Sequence, residues 1–386
     1  MPSLHVALNL VFLHERSGGV GRYARELVPA LMAAEPGIRI TAFVSRELPP
    51  AVRETAWARD VRWVTLPVTT THGPRGAFAL ATAAQWAAVP ALAVLRHADV
   101  IHGLANVTPL WAPRAARVVT LLDVVWLRYP EAMSAAATQG MRRVALPSAR
   151  RADRVIAISH AAKADIVAET GIDAGRIDVA ELAVDDGALP PATPEPELRA
   201  KFGLGDAEVV LSVSQKLVHK NLDGLIAGFA WMNRPGTLLV LPGAPTPHEA
   251  QLADLARHLG VADRVRLLPW VSELDLEGLY RLAACFSLAS FEEGFGLPVL
   301  EAMRRGVPVA CSRTSSVGEV AGDAAELFDP RDQADIARAL AAVLGDPARA
   351  AALVQAGHAR CARYSWAATA RATLATYRRA IEGRRS

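Results

Sequence analysis

Short β-branched or apolar runs alternate along this chain with longer Ala-, Leu- and Arg-rich stretches of helical spacing. The runs fall at 5–12, 38–44, 61–66, 100–102, 118–122 and 154–158, then at 209–214, 237–241, 265–268, 285–288 and 308–312. Strand–helix alternation of this kind implies βαβ units, and therefore an α/β architecture with parallel sheets. The rhythm breaks once, at 185–197, where Asp-Asp-Gly-Ala-Leu-Pro-Pro-Ala-Thr-Pro-Glu-Pro-Glu continues neither helix nor strand. At 386 residues the chain exceeds what one hydrophobic core organises. The expected division is a first domain over 1–190, a second over 191–365, and a C-terminal helix over 366–386 that packs back on the first. Ser365 is the expected N-cap of that helix. Each domain receives five or six strands, enough for one doubly wound sheet. Such sheets bind ligands at the carboxyl ends of their strands, so two facing domains would place the ligand in a cleft.

Composition narrows the function. Hydrophobic residues make up 52% and charged residues 21%, which excludes a disordered chain. A net charge of +3 without a basic stripe excludes a dedicated nucleic-acid binder and suits a small anionic ligand or an anionic membrane surface. The three cysteines, Cys285, Cys311 and Cys361, form no metal-binding or disulfide pattern and read as buried thiols of a reducing compartment. The apolar N-terminus has no basic n-region and reads as a first core strand rather than a signal peptide. Residues 76–95 carry no charge, but their Ala-rich sequence with Thr82, Gln85, Trp86 and Pro90 reads as a buried or interfacial helix pair, not a membrane span.

The most informative window starts at Ser290: Ser-Phe-Glu-Glu-Gly-Phe-Gly-Leu-Pro-Val-Leu-Glu-Ala-Met-Arg-Arg-Gly. It reads as strand end, glycine loop and helix, with Pro298 in the first turn and Gly306 at C′. The amino end of that helix makes an anion site over Gly294, Phe295 and Gly296. Glu293 in the loop and Glu301 in the helix can accept hydrogen bonds from two diols of one ligand. Phosphate amides flanked by two diol acceptors describe a nucleotide-diphosphate sugar.

This run resembles the Glu-x7-Glu signature of glycosyltransferase family 4, retaining enzymes of the GT-B fold, which has two Rossmann-like domains. Gly18-Gly19-Val20-Gly21-Arg22-Tyr23, the segment 152–159 and the segment 320–330 extend the resemblance along the chain, most closely to the mannosyl- and rhamnosyltransferase-like branch. It implies that Glu301 binds the donor ribose. It implies too that Glu293 contacts the transferred sugar, and that Gly294 to Leu297 offer amides to sugar and phosphates.

The second window, 213–221, follows a strand and precedes a helix, and holds Ser214, Lys216, His219 and Lys220. Lysine is scarce, occurring only at 163, 201, 216 and 220, and two of the four lie here. Compact ammonium groups suit a diphosphate leaving group. The family has a basic pair at this point. Lys220 matches its lysine, and either Lys216 or His219 stands for the arginine, or the second charge is absent.

The third window, 118–130, carries Leu122-Asp123 where the family has His-Asp. Asp123 reads either as an acceptor ligand or as a helix N-cap, and Arg128 as an acceptor contact. His102 and Asn106 are further candidates for the acceptor side. Ser159 reads as an N-cap, and Trp270 as a neighbour of the nucleotide base.

Gly18 and Gly19 admit close approach of a phosphate or sugar, but their spacing is not that of a dinucleotide fold. No Asp-x-Asp occurs in the chain, so lysines and helix dipoles are expected to do what a metal does in other glycosyltransferases. The expected activity is retaining, metal-independent transfer of mannose or a related hexose. The donor is a nucleotide-diphosphate sugar serving as co-substrate, with no cofactor. The acceptor is a saccharide or glycolipid, in surface polysaccharide synthesis. Lys216, Lys220, Glu293 and Asp123 are the catalytic candidates, and Gly18, Gly19, Ser214, His219 and 294–297 with Glu301 the donor contacts. The expected location is the cytoplasm, at the inner face of the membrane. The alternative is a non-catalytic sugar-nucleotide-binding subunit of a polysaccharide assembly complex.

Overall fold

The computed structural model describes residues 3–15, 17–70, 77–184 and 187–385; of the residues singled out in the sequence, Gly76, Asp185 and Asp186 lie outside them. The chain divides into two compact units, Met1–Asp185 with Ser365–Ser386, and Asp186–Tyr364.

The first unit holds a parallel sheet in the order β3-β2-β1-β4-β5-β6-β7. Its strands are β1 (His5–Asn9), β2 (Arg39–Val44), β3 (Val61–Thr65), β4 (Val100–Gly103), β5 (Ala116–Thr120), β6 (Arg154–Ala157) and β7 (Ile177–Val179). The second unit holds β8 (Glu208–Leu211), β9 (Thr237–Pro242), β10 (Val265–Leu268), β11 (Cys285–Leu288), β12 (Val309–Ser312) and β13 (Glu326–Phe328) in the order β10-β9-β8-β11-β12-β13. Both sheets are doubly wound, as expected. The winding reverses between β1 and β4 in the first sheet and between β8 and β11 in the second. Chain leaving the carboxyl ends of such strands diverges and leaves a crevice.

Two strands differ from the sequence reading. β7 and β13 are edge strands of three residues each, Ile-Asp-Val and Glu-Leu-Phe, too short and too mixed to show an apolar run. The Pro-rich break is also shorter than it looks. A helix begins at Glu195, with Pro194 as its N-cap and Pro196 in its first turn, where the missing amide costs nothing.

The uncharged stretch forms helix Ala77–Ala83, a π-turn over Ala84–Ala88 and helix Val89–Leu95. Ala81, Val89 and Ala93 pack with Ala7, Phe43 and Ile101 of the sheet. Asn9 Nδ2 donates to Gln85 Oε1 at 2.8 Å, which gives the lone glutamine a partner. Among the described residues no helix is long and apolar enough to cross a membrane.

The C-terminal helix, Trp366–Arg385, is part of the first unit. Ser365 Oγ accepts from Ala368 N at 3.2 Å at its start. Its Tyr377 is fully buried and hydrogen-bonds to His102 Nδ1 at 2.7 Å, while His102 Nε2 lies 2.9 Å from Thr120 Oγ1. Tyr23 Oη lies 3.1 Å from the same Thr120 oxygen. One buried chain of hydrogen bonds thus joins the helix Gly18–Ala34, β5, β4 and the C-terminal helix. The core of the second unit gathers Val210, Phe229, Leu239, Leu252, Phe328 and Ile336. Cys285 and Cys311 are buried and Cys361 is half-buried; all three are free thiols.

Candidate functional site

The loops leaving β8 and β11, on either side of the winding reversal, hold the two sequence windows of the second unit. Lys220 Nζ donates to Glu293 Oε1 at 2.7 Å, and Ser290 Oγ donates to the same oxygen at 2.8 Å. The two charged side chains are 17% and 14% exposed, so the pair is largely withdrawn from water but not sealed. Burial alone would push the Glu293 carboxyl up. The Lys220 charge and the hydrogen bonds from Lys220 and Ser290 outweigh it, and the carboxyl stays below the ordinary glutamate value. His219 is held down to about 4 by burial and by Lys220, so it is neutral at pH 7. Ser315 and Ser316 fix the Glu293 backbone: their hydroxyls donate to its carbonyl at 3.0 and 2.7 Å.

Beyond Glu293 the backbone turns through Gly296, whose φ of 102° belongs to glycine. The helix Leu297–Arg304 starts there, with Pro298 in its first turn and Gly306 following its C-cap at φ 69°. Phe295 is buried edge-on against Tyr364 at 5.6 Å and anchors the loop from beneath. Glu301 projects one turn in, and Tyr280 Oη donates to its Oε2 at 3.0 Å. Tyr280 is itself held: the Arg305 guanidinium lies 4.7 Å over its ring and is paired with Glu277 at 2.6 Å. Nothing in the signature announces Tyr280, because it lies on the preceding helix, Glu273–Leu282.

Lys216 does not share this place. Its side chain is fully buried, its ammonium donates to Gly243 O at 2.8 Å and Leu268 O at 2.7 Å, and Glu249 lies 3.1 Å away. The expectation that it faces a diphosphate is therefore corrected: Lys216 ties its own loop to the ends of β9 and β10. Gly243 permits that packing, since a Cβ there would stand 1.9 Å from Ser214 O. Ser214 Oγ is buried without a partner among the described residues. Asn221, at φ 52°, was not singled out by chemistry, yet it closes the loop. It caps the helix Leu222–Met232 through Gly224 N, and donates to Ala289 O at 3.1 Å and Pro330 O at 2.6 Å.

In the first unit, Gly18 and Gly19 are exposed at the start of their helix, and Gly18 takes φ 54°. Asn106 Oδ1 accepts from Leu122 N at 3.0 Å, which brings the β4 and β5 loops together beside Asp123. Asp123 Oδ1 accepts from Val125 N at 3.1 Å, an Asx-type turn just ahead of the helix Val125–Arg128; the N-cap of that helix is Val124, so the capping expectation for Asp123 is corrected. Arg128 is engaged by Asp165 at 2.8 Å and Glu169 at 2.9 Å. His102 lines no surface. It is 0% exposed, and burial lowers its pKa to about 3. Its placement among the acceptor contacts is corrected accordingly: it is a neutral core histidine. Ser159 caps the helix His160–Thr170 through Ala162 N at 2.9 Å, and Trp270 is 56% exposed just after β10.

These features define a class: a protein of two Rossmann-like units, with charged loops gathered at the winding reversal of the second. Two family models match it, "Glycosyltransferase Family 4" over residues 17–187 and "Glycosyl transferases group 1" over residues 194–360. The chain belongs to this glycosyltransferase family. A D-inositol 3-phosphate glycosyltransferase of Kineococcus radiotolerans is 34% identical over 215 residues, 50% of this chain and 49% of that one. O-antigen chain mannosyltransferase B of Escherichia coli is 32% identical over 181 residues, 46% of this chain and 48% of that one. The match thus spans about half the length of these curated relatives. Sucrose-phosphate synthase of Thermosynechococcus elongatus shares the fold with a TM-score of 0.77 at 24% identity, over 97% of this chain and 98% of that one. Anabaena HepE, solved with UDP and glucose, shares it with a TM-score of 0.71 at 20% identity, over 97% and 99%. The GT-B fold implied by the sequence is thereby the fold of this chain.

Proposed function

We propose that this protein is a retaining hexosyltransferase that moves mannose or a related sugar from a nucleotide-diphosphate donor to a saccharide or glycolipid acceptor. The observation that carries the reading is the convergence of Lys220, Glu293 and the amino end of the helix Leu297–Arg304, with Glu301 held one turn further on. The Lys220 ammonium and the helix terminus stabilise the departing diphosphate. Glu301, oriented by Tyr280, accepts from the ribose hydroxyls. Glu293 exchanges part of its hold on Lys220 for the transferred sugar. The positive charge for the leaving group comes from the chain itself, so the reaction proceeds without added metal. The mannosyltransferases among the relatives favour mannose, and the O-antigen chain named for one of them favours a surface-polysaccharide acceptor; work at the inner face of the cytoplasmic membrane is part of the same proposal.

Supporting contacts from the first unit are Gly18, Gly19, Asn106 and Asp123. Arg128 reaches an acceptor only by leaving its carboxylates on the helix His160–Thr170. The local bond that Asp123 makes to Val125 N and the leucine at 122 favour a second reading, a non-catalytic sugar-nucleotide-binding subunit.

A donor screen without metal separates the two. GDP-mannose, UDP-glucose, UDP-N-acetylglucosamine and dTDP-rhamnose are offered with lipid extract and oligosaccharide acceptors, with chelator as control. Chelator-resistant, acceptor-dependent release of nucleoside diphosphate from one donor supports the enzyme. Calorimetric binding of GDP or UDP with no turnover of any donor supports the subunit.

A further inference from the structure

At the other end of the first unit's sheet, where β1, β2 and β3 begin, lies a cavity of about 520 Å³. Its polar wall is His5, Arg39, Thr41, Asp60, Arg62 and Arg96. Strand register brings these together. His5 pairs with Arg39 across β1–β2, and Thr41 pairs with Arg62 across β2–β3. Arg39 and Thr41 are two apart on one strand, so all four side chains leave the same face of the sheet. Ala7 and Phe43, next along that face, pack beneath Val89 and Ala93. The helix Val89–Leu95 ends there, and Arg96 N closes its last turn on Leu92 O at 3.1 Å.

Three guanidinium groups therefore face one carboxylate, Asp60. Among the described residues none of the three makes an ion pair or a side-chain hydrogen bond, and Arg96 Nε is buried without a partner. Other arginines of the same unit behave differently: Arg117, Arg128 and Arg154 each meet an aspartate within 3.1 Å. A buried donor left unmade is costly, and planar forks fit phosphate oxygens two at a time. His5 Nε2 is fixed 3.0 Å from Thr41 Oγ1, and burial and Arg39 keep the ring below its ordinary pKa, so it lends polarity rather than charge.

We propose that this cavity binds the phosphate group of a small phosphorylated metabolite, with Arg39, Arg62 and Arg96 as its ligands. The volume exceeds that of bare phosphate and suits a phosphorylated sugar-sized molecule. The site stands at the amino ends of the strands, so it is not the donor site of the second unit. The same phosphate chemistry is offered by an anionic lipid headgroup, and Leu95 is 75% exposed at the rim.

The test is titration calorimetry of the full chain with pyrophosphate at about 0.1 M salt. Wild type, Lys220→Met, Arg62→Ser and the double variant Arg39→Ser/Arg62→Ser are compared. Both arginines are exposed, so the variants should fold, with unchanged circular dichroism as the check. Lys220→Met is expected to keep a site that the double variant weakens by about tenfold or more, as loss of charge-assisted bonds requires. Arg62→Ser should fall between. A double variant that titrates like wild type overturns the proposal, as does a wild type with no site beyond the one lost in Lys220→Met. Sedimentation with phosphatidylglycerol against phosphatidylcholine vesicles separates the sources. Arginine-dependent vesicle binding in a protein that ignores pyrophosphate would assign the cavity to lipid and overturn the metabolite.

Discussion

The Tyr280 hydroxyl donates to Glu301 Oε2 across 3.0 Å, from a ring that is 1% exposed and covered by Arg305. The carboxylate at the heart of the signature is thus aimed by a residue of the preceding helix. Tyr280→Phe removes one charge-assisted bond and leaves the ring in place. Nucleoside-diphosphate affinity should fall by about 1 kcal/mol, near fivefold, with little change in melting temperature. Glu301→Ala should cost more, about tenfold or beyond. Calorimetry with GDP and UDP reads both, and unchanged affinity in Glu301→Ala would remove it from the nucleotide site.

Lys220→Met leaves Glu293 in a largely buried place without its cation. The loss should destabilise the second unit by about 3 kcal/mol, and Glu293→Gln should cost less because the amide oxygen still accepts from Lys220, whose longer side chain can reach water. In transfer assays Lys220→Met should drop kcat by about a hundredfold. A Lys220→Met protein with wild-type turnover and melting would refute both roles of the pair.

The acid limb of stability offers a third check. His102 is neutral in the folded protein, with a pKa of about 3, against 6.5 for a free histidine. The unfolded chain therefore binds the extra proton between those values. Stability must fall as pH drops below about 6.5, by at most about 1.4 kcal/mol per pH unit from this residue. His219, at about 4, contributes in the same direction. Denaturant melts of wild type and His102→Gln across pH 7 to 4 should show a shallower decline in the variant. Parallel curves would mean that His102 does not titrate differently on folding.

Gly243 meets Ser214 O where any Cβ would intrude. Gly243→Val should push the loop 213–221 outward and break the hold of Lys216 on Gly243 and Leu268. Donor binding should be lost before the fold is. Nucleotide titration beside far-ultraviolet circular dichroism distinguishes the two; full affinity in the variant would show that the loop tolerates the shift.

Much of this was legible in the residues. The rhythm of apolar runs marks the parallel sheets, because buried central strands must be apolar along most of their length. The edge strands β7 and β13 were not, since three residues with an acidic member carry no period. The signature places Glu293 and Glu301 because loop glycines and a helix-starting proline constrain the backbone locally. Direction was the harder part. Spacing sets Lys216 and Lys220 alike at a strand end, yet only the sheet edge decides that one turns inward to two carbonyls and the other toward Glu293. Tyr280, Asn221 and Gly243 act through partners 21 to 109 positions away or through close backbone packing, and a linear window does not hold such contacts. The burial of His102 escaped the sequence for the same reason, since its partner Tyr377 lies on the C-terminal helix, and so did the pairing of Arg128 with the helix His160–Thr170.

The first unit is discontinuous in sequence, and this orders its birth. Everything up to Asp185 leaves the ribosome long before Tyr377 exists. Until then His102 and Tyr23 face a groove whose filler is still unmade, while the second unit, one unbroken stretch, can fold at once. A chain released before residue 366 therefore carries one finished half and one half with an open core. That open core is what a chaperone would meet, and a nonsense mutation between codons 366 and 377 would leave it open for good.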